Sequence, residues 1–286
     1  MIDMEETLTE LTTKRVSIQG VEGCFHHVAA MLYFGSELEI WPSSTFEQSL
    51  NNVKEGRTTY ALMAIENSIA GSILPNYELL RKSGLKITGE ISIHISQHLM
   101  ALPGQNIESI KELRSHPMAI HQCKEFLAGY PHIKLVESPD TALSAKQIAE
   151  EGLMRVAAIA SNIAAERYGL EILSEGIESH KDNYTRFLVL SEKSVTLAGA
   201  AKASIYFQTS HVAGSLAGTL NVIASYGINL SKIQSHPVPS RNILYGFYAD
   251  MEIEDIGQLP EIMDALKAHT TCLELLGTYR KGSNYD

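Results

Sequence analysis

Val16-Ser17-Ile18-Gln19-Gly20-Val21-Glu22-Gly23-Cys24-Phe25-His26-His27-Val28-Ala29 decides the fold class. A short apolar run stops at Gly20, and a turn over 20–23 is bracketed by glycines. Phe25, Val28, Ala29 and Leu32 then recur at helical spacing. Strand, glycine turn and helix in that order form the opening unit of an α/β domain. Downstream, Ser44-x-x-Glu47 reads as a capping box that opens a helix to about residue 55, stopped by Gly56. Residues 60–65 read as a buried strand. From 87 to 99, Ile91, Ile93 and Ile95 alternate with Ser92, His94 and Ser96, which predicts a half-buried strand. The pattern continues with strands expected at 118–120, 134–137, 156–160 and 186–190. Helices are expected at 122–128, from an Asp140-Thr141 cap to 151, and at 162–168 before Gly169. Alternating strands and helices predict an α/β domain with largely parallel sheets.

Residues 191–201 are small and polar, and read as a linker. Beyond it the order is strand 202–208, helix 214–226, strand 229–236, strand 243–252, helix 258–268 and strand 271–279. That βαββαβ order is a ferredoxin-like arrangement. The expected domains are therefore 15–191 and 202–280, with a polar lead-in over 1–13. A length of 286 residues agrees with two domains at ~100–200 residues each.

Composition narrows the partners. With 23 Lys and Arg against 33 Asp and Glu, the net charge is −10, and no basic run stands out. Nucleic acid and anionic membranes are thus not expected, and a small anion would need a local basic pocket. Cys24, Cys123 and Cys272 are odd in number and far apart, which argues against a disulfide framework or structural zinc and for a cytoplasmic location. The acidic start, Met1-Ile2-Asp3-Met4-Glu5-Glu6, is not a secretory signal. Residues 203–231 carry no charge, but three glycines, Gln208, His211 and Asn221 interrupt them, so strand, loop and helix are expected there rather than a membrane span.

Neither G-x-G-x-x-G nor G-x-x-x-x-G-K-[ST] occurs, so no dinucleotide, nucleotide or other cofactor is expected. His94 and His98 would suit a metal on a helix, but on a strand they lie ~13 Å apart, so no metal is expected. His26 and His27 open a helix, and either pack and solvate or meet an anion at its N-terminus. Glu66-Asn67-Ser68, followed by Gly71 and Ser72, stands at the C-terminal end of a buried strand. It reads as a helix cap or as a ligand edge of an open sheet. Thr185-Arg186-Phe187 reads either as a surface ion pair beside a core aromatic or as a hydroxyl and cation facing a ligand. Asn183-Tyr184-Thr185 spells a glycosylation acceptor, which carries little weight without a secretory signal.

Taken together these segments resemble the prephenate dehydratases. The resemblance rests on the blocks 20–25, 65–72, 115–123, 140–142 and 183–187. The tail resembles an ACT domain through Gly214-Ser215-Leu216-Ala217 and Asn229-Leu230-Ser231-Lys232-Ile233-Gln234-Ser235-His236-Pro237. The resemblance implies an α/β fold: a two-lobed, periplasmic-binding-protein-like catalytic domain plus the ferredoxin-like ACT domain. It implies conversion of prephenate to phenylpyruvate with loss of water and CO2. Phenylalanine would be the feedback ligand and the assembly a homodimer or homotetramer.

By the same resemblance, Thr185, Arg186, Phe187 and Glu66 are expected to be catalytic. Asn67, Ser68, Gly71, Gln122, Cys24 and His26 would bind substrate. Gly214, Ser215, Leu216, Asn229, Leu230, Gln234 and Ser235 would bind phenylalanine. Arg186 would clamp a carboxylate, Thr185 would donate to the departing hydroxyl, and Phe187 would form an apolar wall. The family usually has Pro at 21 and hydroxyl residues at 24 and 26, where this chain has Val21, Cys24 and His26. His26 could then meet substrate as a cation. The alternatives are an arogenate dehydratase, or a sensor that binds such acids without turnover.

Overall fold

The computed structural model describes residues 14–193, 198–238 and 244–285. The expected lead-in 1–13, positions 194–197 of the linker and residue 243 lie outside the described residues. In chain order the elements are β1 (Lys14–Gln19), α1 (Phe25–Phe34), β2 (Leu38–Ser43), α2 (Phe46–Lys54), β3 (Tyr60–Asn67), β4 (Gly71–Ser72), α3 (Leu74–Ser83), β5 (Lys86–His94) and β6 (His98–Ala101). Next come β7 (Glu112–Ser115), α4 (Pro117–Gln122), α5 (Lys124–Leu127), β8 (Lys134–Glu137), α6 (Thr141–Glu151), β9 (Val156–Ala160), α7 (Asn162–Tyr168), β10 (Glu171–Ser174) and β11 (Tyr184–Ser191). The chain ends with β12 (Lys202–Gln208), α8 (Ser215–Ser225), β13 (Asn229–Val238), β14 (Leu244–Glu252), α9 (Leu259–Lys267), β15 (Cys272–Tyr279) and β16 (Asn284–Tyr285).

The sequence expectations do not include β2, α3, β7 or β10, and three of those made are corrected. The cap of α2 is Thr45, whose hydroxyl accepts from Gln48 N–H at 3.1 Å, not Ser44. The expected strand at 118–120 is the helix α4. Pro117 presets its first turn, and His116 caps it by accepting from Met118 N–H at 3.2 Å. The alternating run 87–99 breaks after His94, and β6 starts afresh in another sheet.

By packing, the chain divides into two compact units. One comprises residues up to Gly71, Ser92–Phe187 and the segment from Asn284; the other comprises Ser72–Ile91 and Leu188–Ser283. The first unit holds two sheets. In one, β1 pairs parallel with β2 and β3, and α1 and α2 pack on it. Val16, Ile18, Ala29, Leu62 and Ile65 are its buried core. The other has the order β10-β6-β9-β7-β8, with β7 parallel to β8 and β9, and β6 antiparallel to β9 and β10. Its core is built from Leu99, Ile110, Leu113, Ala157 and Ile159.

The two sheets of this unit meet where the 20–23 turn touches α7. Ser161 Oγ donates to the Gly23 carbonyl at 2.6 Å, and Tyr168 Oη to the Glu22 carbonyl at 2.7 Å. A Cβ on Gly23 would lie 2.9 Å from Ala164 Cα, so only a glycine fits, and its φ of +87° asks for one too.

In the second unit the strands run β13-β14-β12-β15, with β14 antiparallel to β13 and β12, and β12 antiparallel to β15. Side chains alternate between faces. Ala203, Ile205, Phe207, Ala249 and Met251 form a core with Ile223, Ile262 and Leu266 of α8 and α9. Tyr206 and Tyr248 lie on the alternate positions and meet α3: Tyr77 packs on Tyr248 at 4.8 Å, and Arg81 lies 4.4 Å over the Tyr206 ring while pairing with Glu274 at 2.9 Å. Lys232 Nζ of β13 donates to Ser72 Oγ at 2.6 Å. The uncharged run 203–231 spans β12, α8 and the start of β13. Among the described residues no helix is long and apolar enough to cross a membrane.

Candidate active site

The C-terminal end of β3 and the start of β11 carry a polar cluster in the first unit. Asn67 organises it. Its Oδ1 accepts from the backbone N–H of Ile69 at 3.0 Å and of Ala70 at 2.9 Å. Two backbone donors fix which end of the amide is oxygen. The Asn67 Nδ2 therefore points the other way. It donates to Asn183 Oδ1 at 2.8 Å and Thr185 Oγ1 at 3.0 Å, with the Tyr184 carbonyl at 3.2 Å.

The consequence falls on Thr185. Its oxygen accepts a hydrogen bond, and among the described residues its own hydroxyl proton has no acceptor. The side chain is thus set as a donor. Beside it, Glu66 Oε2 stands 3.9 Å from Arg186 Nη1, longer than a hydrogen bond. Ser68 is drawn into the scaffold. Its hydroxyl donates to the Asp182 carbonyl at 3.0 Å and accepts from Tyr184 N–H at 2.9 Å, so it pins β3 to β11. Gly71 is exposed, and an added Cβ would meet no atom within 4 Å.

Three expected site residues face elsewhere. Phe187 is 1% exposed and packs edge-on against His26 at 4.9 Å, so it belongs to the interior and not to a cleft wall. His26 lies between Phe187 and Phe46, and its Nε2 accepts from Ala64 N–H at 3.3 Å. Burial pushes its pKa down to about 3, so it is a neutral acceptor and the expected cation is corrected. Cys24 caps α1 and its thiol points to the Gln19 carbonyl at 3.6 Å. Burial, aided by the nearby Asp140 carboxylate, raises that thiol to about 12. Neither position supplies charge to a ligand.

Gln122 stands in a separate group on the second sheet's side of the unit. Its carbonyl accepts from Ser179 N–H at 2.8 Å, and its Oε1 faces Gln97 Nε2 at 3.4 Å. Gln97 N–H donates to the buried Glu178 carboxylate at 2.8 Å. Asp140 caps α6 through Leu143 N–H at 2.8 Å and crowds Gly20, where a Cβ would lie 2.7 Å from its Oδ2. Burial raises the Asp140 pKa. Gln97, Asp140, Glu178 and Asn183 were not among the expected site residues. Only Asp140 and Asn183 lay inside the motif blocks that could have signalled them.

In the second unit a cavity of about 600 Å³ is lined by Gly214, Ser215, Leu216, Leu220, Tyr245 and Phe247, among others. Gly214 has φ +86°, and an added Cβ would meet no atom within 4 Å, so its requirement is backbone conformation and not close approach. Asn229, Leu230, Gln234 and Ser235 do not line that cavity. They lie along β13, at the edge of the described strand order.

A threonine hydroxyl held by Asn67 and a guanidinium near Glu66 thus stand at neighbouring strand ends of an α/β unit, the edge of such a sheet where small ligands bind. The prephenate dehydratase family model matches residues 16–195. The bifunctional chorismate mutase/prephenate dehydratase of Aquifex aeolicus is 33% identical over 269 residues, covering 93% of this chain and 74% of that protein. Arogenate dehydratase/prephenate dehydratase 2, chloroplastic, of Arabidopsis thaliana is 34% identical over 289 residues, covering 96% and 75%. Among solved structures, the Arthrobacter aurescens prephenate dehydratase in complex with L-Phe superposes with a TM-score of 0.83 at 26% identity, covering 93% of this chain and 90% of that one. A protein described as GqqA, a novel type of quorum quenching acylase, superposes with a TM-score of 0.84 at 28% identity, covering 93% and 98%. The chain belongs to the prephenate dehydratase family.

Proposed function

We propose that this chain converts prephenate to phenylpyruvate, water and CO2 at the β3–β11 cluster. The ring C–CO2 bond breaks, its electron pair enters the ring, and the ring hydroxyl leaves with a proton. Aromatisation drives the step, so the site has to position the substrate, place charge and supply that proton. The observation that carries the reading is the fixed polarity of Asn67, which turns Thr185 into a donor. A threonine is a weak acid, so its role is to orient the leaving hydroxyl and relay a proton to it. Arg186 binds a substrate carboxylate through its planar fork. Glu66 aligns that fork, and Gln122 contributes a polar contact from the facing lobe.

We further read residues 202–280 as an ACT-like regulatory domain that binds phenylalanine. The cavity at Gly214, Ser215 and Leu216 supports this, as does the relative solved with L-Phe. The edge strand β13 would complete the site from a second copy, in a homodimer or homotetramer, in the cytoplasm. Residues 15–191 would be the catalytic domain, with lobes like those of a periplasmic binding protein. Relatives named for arogenate favour testing that substrate beside prephenate. The experiment is to incubate purified protein with each and follow the aromatic product. Thr185→Ala should lower kcat by ~10²-fold or more. Turnover of neither substrate, or an undiminished Thr185→Ala, would overturn the reading.

A further inference from the structure

Asn183 opens the Asn183-Tyr184-Thr185 pattern of a glycosylation acceptor. In the structure it is wholly buried, at 0% exposure. Its backbone carbonyl accepts from Ile95 N–H at 2.7 Å, which ties the main chain down independently of the side chain. Its side-chain oxygen takes the shortest bond that Asn67 Nδ2 makes, at 2.8 Å. Its own Nδ2 is buried with no hydrogen-bond partner among the described residues. A buried amide that uses its acceptor and leaves its donor unmet is costly, and an apolar residue would carry no such cost. The oxygen is therefore the part of this side chain that matters.

The polarity runs in one direction. Ile69 and Ala70 N–H groups fix the Asn67 oxygen, so Asn67 must donate toward residues 183 and 185. The nitrogen has two hydrogens, and its two shortest partners are Asn183 Oδ1 and Thr185 Oγ1. With one hydrogen held by Asn183, the other is directed at Thr185. Without that anchor the nitrogen can turn its hydrogens toward the Tyr184 carbonyl, already 3.2 Å away, and the Thr185 hydroxyl can turn to donate elsewhere. An aspartate at 183 would offer the same oxygen, but its negative charge would sit beside a site for a substrate with two carboxylates.

We infer that Asn183 is a positioning residue of the dehydration: its side-chain oxygen holds the Asn67 amide so that the Thr185 hydroxyl proton is kept for the substrate. The inference rests on the proposed dehydratase reading. The test uses full-length wild type, Asn183→Ala and Asn183→Asp, with Asn183→Ala also made in a Thr185→Ala background. Hydrogen exchange of the Asn67 side-chain amide is followed by NMR, its resonance assigned by its loss in Asn67→Asp.

In Asn183→Ala that exchange should quicken by ~10-fold or more. With prephenate, kcat should fall ~10- to 100-fold with KM within about twofold. In the Thr185→Ala background, Asn183→Ala should cost less than about twofold more, because its effect passes through Thr185. Asn183→Asp should keep turnover at low pH and lose it as the buried carboxyl ionises, a limb that wild type lacks. Unchanged Asn67 exchange in Asn183→Ala overturns the inference whatever the substrate result. So does an undiminished kcat per folded site, or a full additive loss on top of Thr185→Ala. A wild type that turns over neither prephenate nor arogenate sinks the dehydratase reading itself.

Discussion

His26 makes acid stability a direct test of the packed interior. The ring is buried against Phe46 and Phe187 and accepts a backbone N–H, and burial pushes its pKa from the ordinary 6.5 to about 3. Between those values the unfolded chain binds a proton that the folded chain does not. Stability from this residue is therefore complete above pH 6.5 and is lost as pH falls, at about 1.4 kcal/mol per pH unit. Between about pH 7 and pH 5 the loss comes to ~2 kcal/mol, since titration of the unfolded state is only starting at the upper end. His26→Gln offers Ala64 N–H an amide oxygen and cannot titrate. At pH 7 it should be less stable by about 1–3 kcal/mol, for the lost ring packing. That deficit should shrink by ~2 kcal/mol at pH 5. Burial lowers the pKa values of His27 and His98 and raises that of Asp140, but these groups are common to both proteins and cancel in the difference. Urea denaturation of both across this range supplies the numbers. Parallel stability curves would refute the buried, neutral histidine. So would a limb in kcat/KM near pH 6.5 that vanishes in His26→Gln, because it would mean that His26 meets substrate as a cation.

Three further expectations follow from the geometry. Gly23→Ala places a Cβ 2.9 Å from Ala164 Cα at a φ of +87°. It should destabilise the chain by about 1–3 kcal/mol in urea denaturation, and a neutral result would mean that the turn does not touch α7. Arg186→Lys keeps the charge but loses the fork, so KM for prephenate should rise ~10-fold or more with a smaller change in kcat. An unchanged KM would remove Arg186 from carboxylate binding. Gly214→Val forces a β-branched residue into a φ of +86°, so inhibition by phenylalanine should weaken in a titration at fixed prephenate. Inhibition equal to wild type would place the amino-acid site elsewhere.

The sequence pattern was enough for β1, α1 and the six regular elements from β12 to β15, where short apolar runs and amphipathic stretches follow one another in a simple order. It misread α4, where Met118, Ala119 and Ile120 look like a strand but Pro117 and the His116 cap start a helix. It passed over α3, whose buried Tyr77 and Leu80 are separated by polar residues. At the site, Glu66, Asn67, Thr185 and Arg186 were legible as motif residues, and the structure brings them to adjoining strand ends. The direction of His26 was not legible. Two histidines open α1, and which of them turns inward is decided by Phe46 and Phe187, far away in the chain. The role of Asn183 was hidden for a similar reason: its partner, Asn67, is 116 residues earlier.

The helix α3 bears on how portable the two halves of this gene product are. Residues 72–91 precede most of the first unit in the chain yet fold with 188–283. A gene fragment that stops at residue 191 would still encode Tyr77, Leu80 and Arg81, while deleting Tyr206, Tyr248 and Glu274, against which Tyr77 and Arg81 pack or pair. It would expose an aromatic and aliphatic helix face to water, with an arginine stripped of its carboxylate. Shuffling or fusing the C-terminal segment as an independent cassette would therefore have to carry α3 along. Recombination of this chain has to respect an interleaved boundary, not a single cut.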